Sequence, residues 1–124
     1  KYRRQALPAL ALTTDTSIIT ALANDDGFDQ VFVRQVEAFG NAGDILIAIS
    51  TSGNSINVLK AVQQAQKQGL FTIVLSGKTG GELKDQSDLS IIVPSESTQR
   101  IQECHITIGH ILCDIIEQSL YHAE

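Results

Sequence analysis

Hydroxyl side chains crowd one short stretch of the chain, and their chemistry suits the binding of an anion. Residues 50–55 read Ser-Thr-Ser-Gly-Asn-Ser, and each hydroxyl can donate a hydrogen bond to a phosphate oxygen without adding bulk. An apolar run at residues 45–49 predicts a buried strand before them, and apolar residues at helical spacing follow them (Val58, Leu59, Val62, Ala65). A strand that turns into a helix in this way predicts a phosphate site, because free N–H groups and the positive end of the helix dipole face the ligand.

A purely structural role for the same turn stays open, with Ser55 acting only as the N-cap of the following helix. The wider arrangement favours the phosphate site. In an open parallel sheet, ligands bind beyond the carboxyl ends of the strands. Asp15, the serine turn and the loops at residues 77–81 and 95–98 each follow an apolar run and are expected at that edge.

Two histidines on the last helix have different expected roles. His105 lies within the apolar face of residues 101–120 and is expected to be a core or interface histidine satisfied by one hydrogen bond. His110 lies on the opposite side among polar residues (Glu103, Thr107, Asp114, Glu117). That side is either solvated surface or the wall of a polar cleft. In a cleft, a nearly neutral imidazole could shuttle a proton or bind a metal.

The elements that must position these residues alternate along the chain. Four strands are predicted, at residues 7–13, 44–49, 71–75 and 89–93, and four helices, at residues 16–23, 30–39, 56–68 and 101–120, with loops at residues 24–27 and 76–81. The strands are continuous apolar runs, which predicts an α/β fold with a parallel sheet covered on both faces.

Composition narrows the possible partners. The chain has 124 residues, expected to form one domain over residues 1–124, and a net charge of −5, which argues against nucleic-acid binding. We see neither an apolar run of the ~20 residues that cross a bilayer nor a leader sequence, so we expect a cytoplasmic protein without a membrane partner. Cys104 and Cys113 are roughly 13 Å apart along one helix, too far for a disulfide, and both are expected to be buried.

Three motifs resemble the phosphoheptose isomerases of the sugar isomerase (SIS) fold. They are residues 50–55, the loop Ser-Gly-Lys-Thr-Gly-Gly at residues 76–81, and the run Arg-Ile-Gln-Glu-Cys-His with a second histidine five residues later, at residues 100–110. Asn24-Asp25 and the residues before Asp15 also match. The resemblance implies a three-layer SIS sandwich whose N-terminal helix and first strand are missing from this chain.

The resemblance also implies a function. Phosphoheptose isomerases interconvert sedoheptulose 7-phosphate and D-glycero-D-manno-heptose 7-phosphate for the heptose of surface polysaccharide. Carried over by position, the substrate-binding residues are Ser50, Thr51, Ser52, Ser55, Asn24, Asp25 and Gln102. His110 matches the catalytic acid/base, and Gln102 and His110 match ligands of one zinc ion per subunit. Family members are tetramers with sites at subunit boundaries.

Two features of the chain bear on the assignment of these family roles to its residues. The family's catalytic base belongs to the missing N-terminal part, so the chain as it stands is expected to be inactive. Gln102 and His110 are eight residues apart, about 12 Å along a regular helix, so one metal ion could be shared only through stretched side chains, an irregular helix or a neighbouring subunit.

Two other functions fit the SIS fold. One is a non-enzymatic SIS protein that binds the bacterial replication initiator; relatives of that kind lack the second histidine and have an altered serine loop, whereas His110 and Ser52 are both present in this chain. The other is the sugar-phosphate-sensing domain of a transcription regulator. The acidic charge and the isomerase-like last helix count against it.

Overall fold

The structure is a computed structural model that describes residues 4–121. Its elements are, in order, α1 (Thr16–Asp25), a 3₁₀ turn (Phe28–Gln30), α2 (Val33–Phe39), β1 (Ile45–Ser50), α3 (Ile56–Lys67), β2 (Phe71–Gly77), α4 (Leu83–Gln86), β3 (Leu89–Val93) and α5 (Thr98–Tyr121). Over these residues, no helix is both long and apolar enough to cross a membrane.

The strands form a parallel sheet in the order β1-β2-β3. Ser50 at the end of β1 pairs in register with Ser76 on β2, and Gly77 on β2 pairs with Val93 on β3. The three carboxyl ends therefore meet at one edge, as the alternation of strands and helices predicts. The α/β class and the parallel sheet are confirmed.

One face of the sheet is packed against helices. A buried cluster joins this face to α3 and α4 (Ala48, Leu59, Val62, Val74, Leu83). A second buried cluster joins α2 to the far side of α3 (Val36, Ala61, Ala65, Leu70). Helix α3 thus lies between two apolar surfaces, which fixes its first turn relative to the end of β1.

The opposite face meets α5 mainly near the carboxyl end of β2. The buried residues of α5 are Ile101 and His105. Large apolar side chains remain exposed on the rest of that face and along α5 (Ile45, Ile47, Ile49, Phe71, Leu89, Ile106, Ile111, Ile115, Ile116, Leu120). In the part of the chain that the structure describes, α5 therefore forms a third layer over part of this face only.

The strand predicted at residues 7–13 is wrong. These residues form no ladder, and Leu10 is 62% exposed. Among the described residues no neighbouring strand accepts their backbone hydrogen bonds; the carbonyl of Leu12 instead accepts one from Gln35 Nε2 at 2.9 Å. An apolar run forms a strand only when another strand lies beside it.

Smaller differences concern helix ends. Because Phe28–Gln30 form a 3₁₀ turn, α2 begins at Val33 instead of at the predicted residue 30. Helix α4, which follows the predicted loop at residues 76–81, was not predicted. Four residues are too few to show helical periodicity. Asn24 and Asp25 lie in the last turn of α1 rather than in a loop.

The two cysteines are free, which confirms the absence of a disulfide between them. Their predicted burial is wrong, because both are exposed. The buried side of α5 is narrow and runs through Ile101 and His105, so Cys104, next to His105 in sequence, points away from it.

Candidate functional site

The serine loop, defined as residues 50–55, forms a tight turn at the end of β1. Ser50 is only 5% exposed, and its Oγ lies 2.8 Å from Ser55 Oγ. The N–H of Gly53 donates to the carbonyl of Ser50 at 3.1 Å, with Gly53 at φ +68°. The hydroxyls of Thr51 and Ser52 belong to half-buried residues that retain access to solvent.

Ser55 occupies the N-cap of α3 without capping it. Its side chain makes no hydrogen bond to the first turn, because the hydroxyl is paired with Ser50 instead. The first turn of α3 also carries no acidic side chain. With no acidic side chain in the first turn, the positive end of the helix dipole favours an anion at this position.

The loop between β2 and α4, at residues 78–82, packs against the serine loop. The N–H of Leu83 donates to Gly53 O at 3.0 Å, and the N–H of Glu82 donates to Asn54 Oδ1 at 2.9 Å. A Cβ placed on Gly53 would lie 1.9 Å from Gly80 O, so the two backbones approach as closely as glycine allows. We did not predict this contact between the two loops from the sequence, although the glycine pair at residues 80–81 is the feature that indicates it.

A buried hydroxyl lies beside the serine loop on the neighbouring strand. Ser76 is fully buried and pairs in register with Ser50, so the two side chains share a face of the sheet. Among the described residues, Ser76 Oγ has no hydrogen-bond partner. The carbonyl of Ser76 accepts a hydrogen bond from another element, the helix α5.

His105 makes that bond. The side chain is 5% exposed, and its Nε2 lies 2.9 Å from Ser76 O. Because a carbonyl oxygen can only accept, Nε2 carries the proton. The prediction of a core histidine with one hydrogen bond is confirmed, but among the described residues its Nδ1 is buried without a partner.

Gln102 and His110 are both exposed on α5. At roughly 100° per residue, His110 lies about 140° around the helix from His105. Since His105 faces the sheet, His110 faces away from it, on the polar side that the sequence predicts. Any cleft that contains His110 must take its other wall from a second copy of the chain or from residues outside the described range.

The arrangement also bears on metal binding. Gln102 and His110 belong to one unbroken helix, about 12 Å apart along its axis. Residues 4–121 contain no group of three His, Cys, Asp or Glu side chains placed to hold a metal ion.

Asn24 and Asp25 are exposed at the end of α1. The side-chain amide of Asn24 donates to Asp25 Oδ1 at 2.7 Å. Asp15 caps α1, with Oδ1 accepting a hydrogen bond from the N–H of Ile18 at 3.0 Å.

The loops after β2 and β3 meet at the carboxyl edge of the sheet, as predicted. There the N–H of Lys78 donates to Ser95 O at 3.3 Å.

An ion pair anchors the outer side of α3. Lys60 on α3 bonds to Asp29 in the 3₁₀ turn. The hydrogen bond from Lys60 is the largest cause of a lowered pKa for the Asp29 carboxyl. Both side chains are about one-third exposed, so solvent screens the pair.

Comparison with known proteins shows which proteins this chain resembles in sequence and fold. The chain matches the SIS domain family over residues 1–77. It is 55% identical to the phosphoheptose isomerase of Sulfurimonas denitrificans over 97% of this chain and 57% identical to that of Citrifermentans bemidjiense over 98%. A solved phosphoheptose isomerase from Francisella tularensis superposes with a TM-score of 0.90 at 47% identity over 93% of this chain.

The chain spans 62% and 63% of the length of the two sequence relatives and 62% of the Francisella structure. A phosphoheptose isomerase from Neisseria gonorrhoeae gives a TM-score of 0.85 at 50% identity, over 86% of this chain and 61% of that one. At these identities both the sequence and the fold are shared. The chain therefore belongs to the SIS domain family.

Proposed function

We propose that the protein interconverts sedoheptulose 7-phosphate and D-glycero-D-manno-heptose 7-phosphate, for the heptose of surface polysaccharide. The observation that carries this proposal is the serine loop at the carboxyl edge, next to a helix whose N-cap side chain is bonded elsewhere. The similarity to phosphoheptose isomerases over nearly the whole chain supports it. The proposal concerns the intact gene product, because the chain spans less than two thirds of those relatives.

The serine loop binds the phosphate group of the sugar in this proposal. The Ser50–Ser55 bond presets the turn, while the half-buried Thr51 and Ser52 offer hydroxyls to phosphate oxygens. The phosphate is remote from the carbons that react. Its binding energy orients the sugar and holds the reacting carbons in place.

Proton transfer is assigned to His110. Interconversion of a ketose and an aldose moves a proton between adjacent carbons through an enediol, which requires an acid, a base and stabilisation of the developing oxyanion. His110 is exposed on the side of α5 away from its own sheet. It would act in a site completed by a second subunit or by residues outside the described range, with Asn24, Asp25 and Gln102 as further substrate contacts.

A homotetramer with sites at subunit boundaries fits this assignment. Exposed apolar side chains continue along α5 beyond its contact with the sheet (Ile106, Ile111, Ile115, Ile116, Leu120). Burying each such side chain is worth about 1.5–3 kcal/mol. A cytoplasmic location, where sugar phosphates are made, is part of the same proposal.

The proposal includes two ligands of a zinc ion but not the complete site. Gln102 and His110 could supply two ligands to one Zn²⁺, which would polarise the sugar carbonyl. Since the described residues offer no group of three acidic, histidine or cysteine ligands, the remaining ligands would have to come from elsewhere. Metal content of the purified intact protein, measured with and without a chelator, tests this point.

The test of the function is turnover of sedoheptulose 7-phosphate by the intact gene product. His110→Ala should lower kcat by about 100- to 10,000-fold, the usual contribution of a general acid or base, with the fold of each chain unchanged because His110 is exposed. Gln118→Ala, on the same exposed helix, should leave turnover unchanged. Full turnover in His110→Ala would reject the role of His110.

A non-enzymatic protein that binds the replication initiator is not supported by the comparisons, since the relatives named above are phosphoheptose isomerases. Binding to the initiator by a protein that turns over no sugar phosphate would reverse this conclusion.

A further inference from the structure

Helix α5 is fixed to the sheet at two neighbouring points. Its buried residues are Ile101 and His105, one turn apart. Ile101 packs on Gly77 so closely that a Cβ on that glycine would lie 2.3 Å from Ile101 Cδ1. One turn later, His105 Nε2 donates to Ser76 O at 2.9 Å. The helix is therefore attached to two consecutive residues at the carboxyl end of β2.

The two contacts constrain the helix in different ways. Apolar packing is non-directional, so Ile101 alone would allow α5 to roll or slide over Gly77. A hydrogen bond weakens steeply away from its preferred distance and angle. The bond from His105 therefore sets both the rotation of α5 about its axis and its height on β2.

The point of attachment is next to the serine loop. Ser76 pairs in register with Ser50, the first residue of that loop, so the bond ties α5 to the level of the sheet where the loop begins. Gln102 lies about 4.5 Å before His105 along the helix axis, and His110 about 7.5 Å after it. A roll or slide of the helix would move both side chains relative to the loop.

We propose that His105 is a positioning residue: its bond to Ser76 O holds α5 in the rotation and height that place Gln102 and His110 relative to the serine loop. The proposal rests on the proposed function for the roles of those two residues. It assigns His105 no contact with substrate.

Two substitutions separate the bond from the packing. His105→Leu removes the donor and keeps an apolar side chain of similar bulk, whereas His105→Gln keeps an N–H donor at a similar reach. Thr107→Val is the matched control, because Thr107 Oγ1 also donates to a backbone carbonyl, that of Glu103 at 2.9 Å, but on the exposed side of the same helix.

The first readout is turnover of sedoheptulose 7-phosphate by the intact gene product. We expect His105→Leu to lower kcat about 10- to 100-fold, the usual effect of misplacing a reacting group by about 1 Å, and to leave KM within about threefold. His105→Gln should recover most of kcat, and Thr107→Val should match the wild type. A lower melting temperature with kcat per folded molecule unchanged in His105→Leu would overturn the proposal.

The second readout does not need activity. Amide hydrogen exchange over residues 101–110 should be faster in His105→Leu than in the wild type and should return toward the wild-type rate in His105→Gln. If the wild type itself turns over no substrate, the proposed function fails and exchange alone decides the attachment. Unchanged exchange in His105→Leu would then overturn it.

Discussion

The two ends of the sheet are both rich in polar side chains, but they use them differently. At the amino end, polar groups satisfy one another. Thr72 donates to Asp88 Oδ2 through both its N–H, at 2.7 Å, and its hydroxyl, at 2.6 Å. The N–H of Asp88 returns a bond to Thr72 Oγ1 at 3.0 Å. Nearby, Asp44 accepts from the N–H of Asn41 through Oδ2 and from that of Phe71 through its carbonyl.

At the carboxyl end, polar groups are left open. Within residues 4–121, Ser76 Oγ is buried without a partner, and the hydroxyl at the N-cap of α3 bonds to Ser50 rather than to the helix. Thr51 and Ser52 are accessible. Both ends belong to the same strands, so the difference does not come from the fold alone.

The difference in hydrogen bonding between the two ends of the sheet bears on the roles of their polar groups. A buried polar group that finds a partner within the protein costs little, whereas one without a partner costs about 1–3 kcal/mol. The unpaired and accessible hydroxyls at the carboxyl end are what the phosphate site proposed above requires.

The largest expected effect comes from a comparison of two glycines with positive φ. Gly53→Ala should lower the free energy of unfolding by about 3 kcal/mol or more, because a Cβ there would lie 1.9 Å from Gly80 O in addition to the backbone strain. Gly43→Ala, before β1 at the amino end, has open space around its Cβ and should cost only about 1 kcal/mol. Urea unfolding of the intact protein measures both. Equal losses would show that the close approach of the two loops does not matter.

A second pair of substitutions lies on one strand and one face. Thr72→Val should lower the free energy of unfolding by about 1–2 kcal/mol, because it removes a buried hydroxyl with good partners. Ser76→Ala should change it by less than about 0.5 kcal/mol or raise it, since its hydroxyl has no partner to lose. A larger loss of unfolding free energy in Ser76→Ala than in Thr72→Val, measured in ligand-free protein, would contradict this comparison.

The strands and helices that carry this contrast were predicted from the sequence, whereas the hydrogen bonds at the amino end were not. Periodicity predicted β1, β2, β3, α3 and α5, and it placed His110 opposite His105. It could not show that Ser55 bonds to Ser50, since that depends on side-chain rotamers in a tight turn. It failed at residues 7–13, because strand formation depends on a neighbour that an apolar run does not specify.

A third comparison tests the ligand directly. Ser52→Ala in the intact protein should raise KM for sedoheptulose 7-phosphate about fivefold to tenfold and leave kcat nearly unchanged, if the hydroxyl binds phosphate equally in the ground and transition states. Ser87→Ala is the control, because its hydroxyl lies at the amino end and is bonded to Ser90 Oγ at 2.7 Å. A loss confined to kcat would mean that Ser52 acts on the reacting carbons.

The smallest expected effect is a pH dependence at the amino end. Hydrogen bonds from the side chain and backbone of Thr72 lower the pKa of Asp88 below 3.8. A carboxyl whose pKa is lower in the folded state stabilises the protein fully above its unfolded pKa, about 3.9, and loses that contribution as the pH falls through the folded value. Unfolding free energies at pH 7, 5, 4 and 3 should therefore fall less steeply below pH 4 in Asp88→Asn than in the wild type. In a Thr72→Val background, Asp88→Asn should change that slope less, because the hydroxyl that favours the carboxylate is gone. An identical change in both backgrounds would show that the Thr72 hydroxyl does not control the carboxyl, and the amino end would then be less tightly closed than its hydrogen bonds imply.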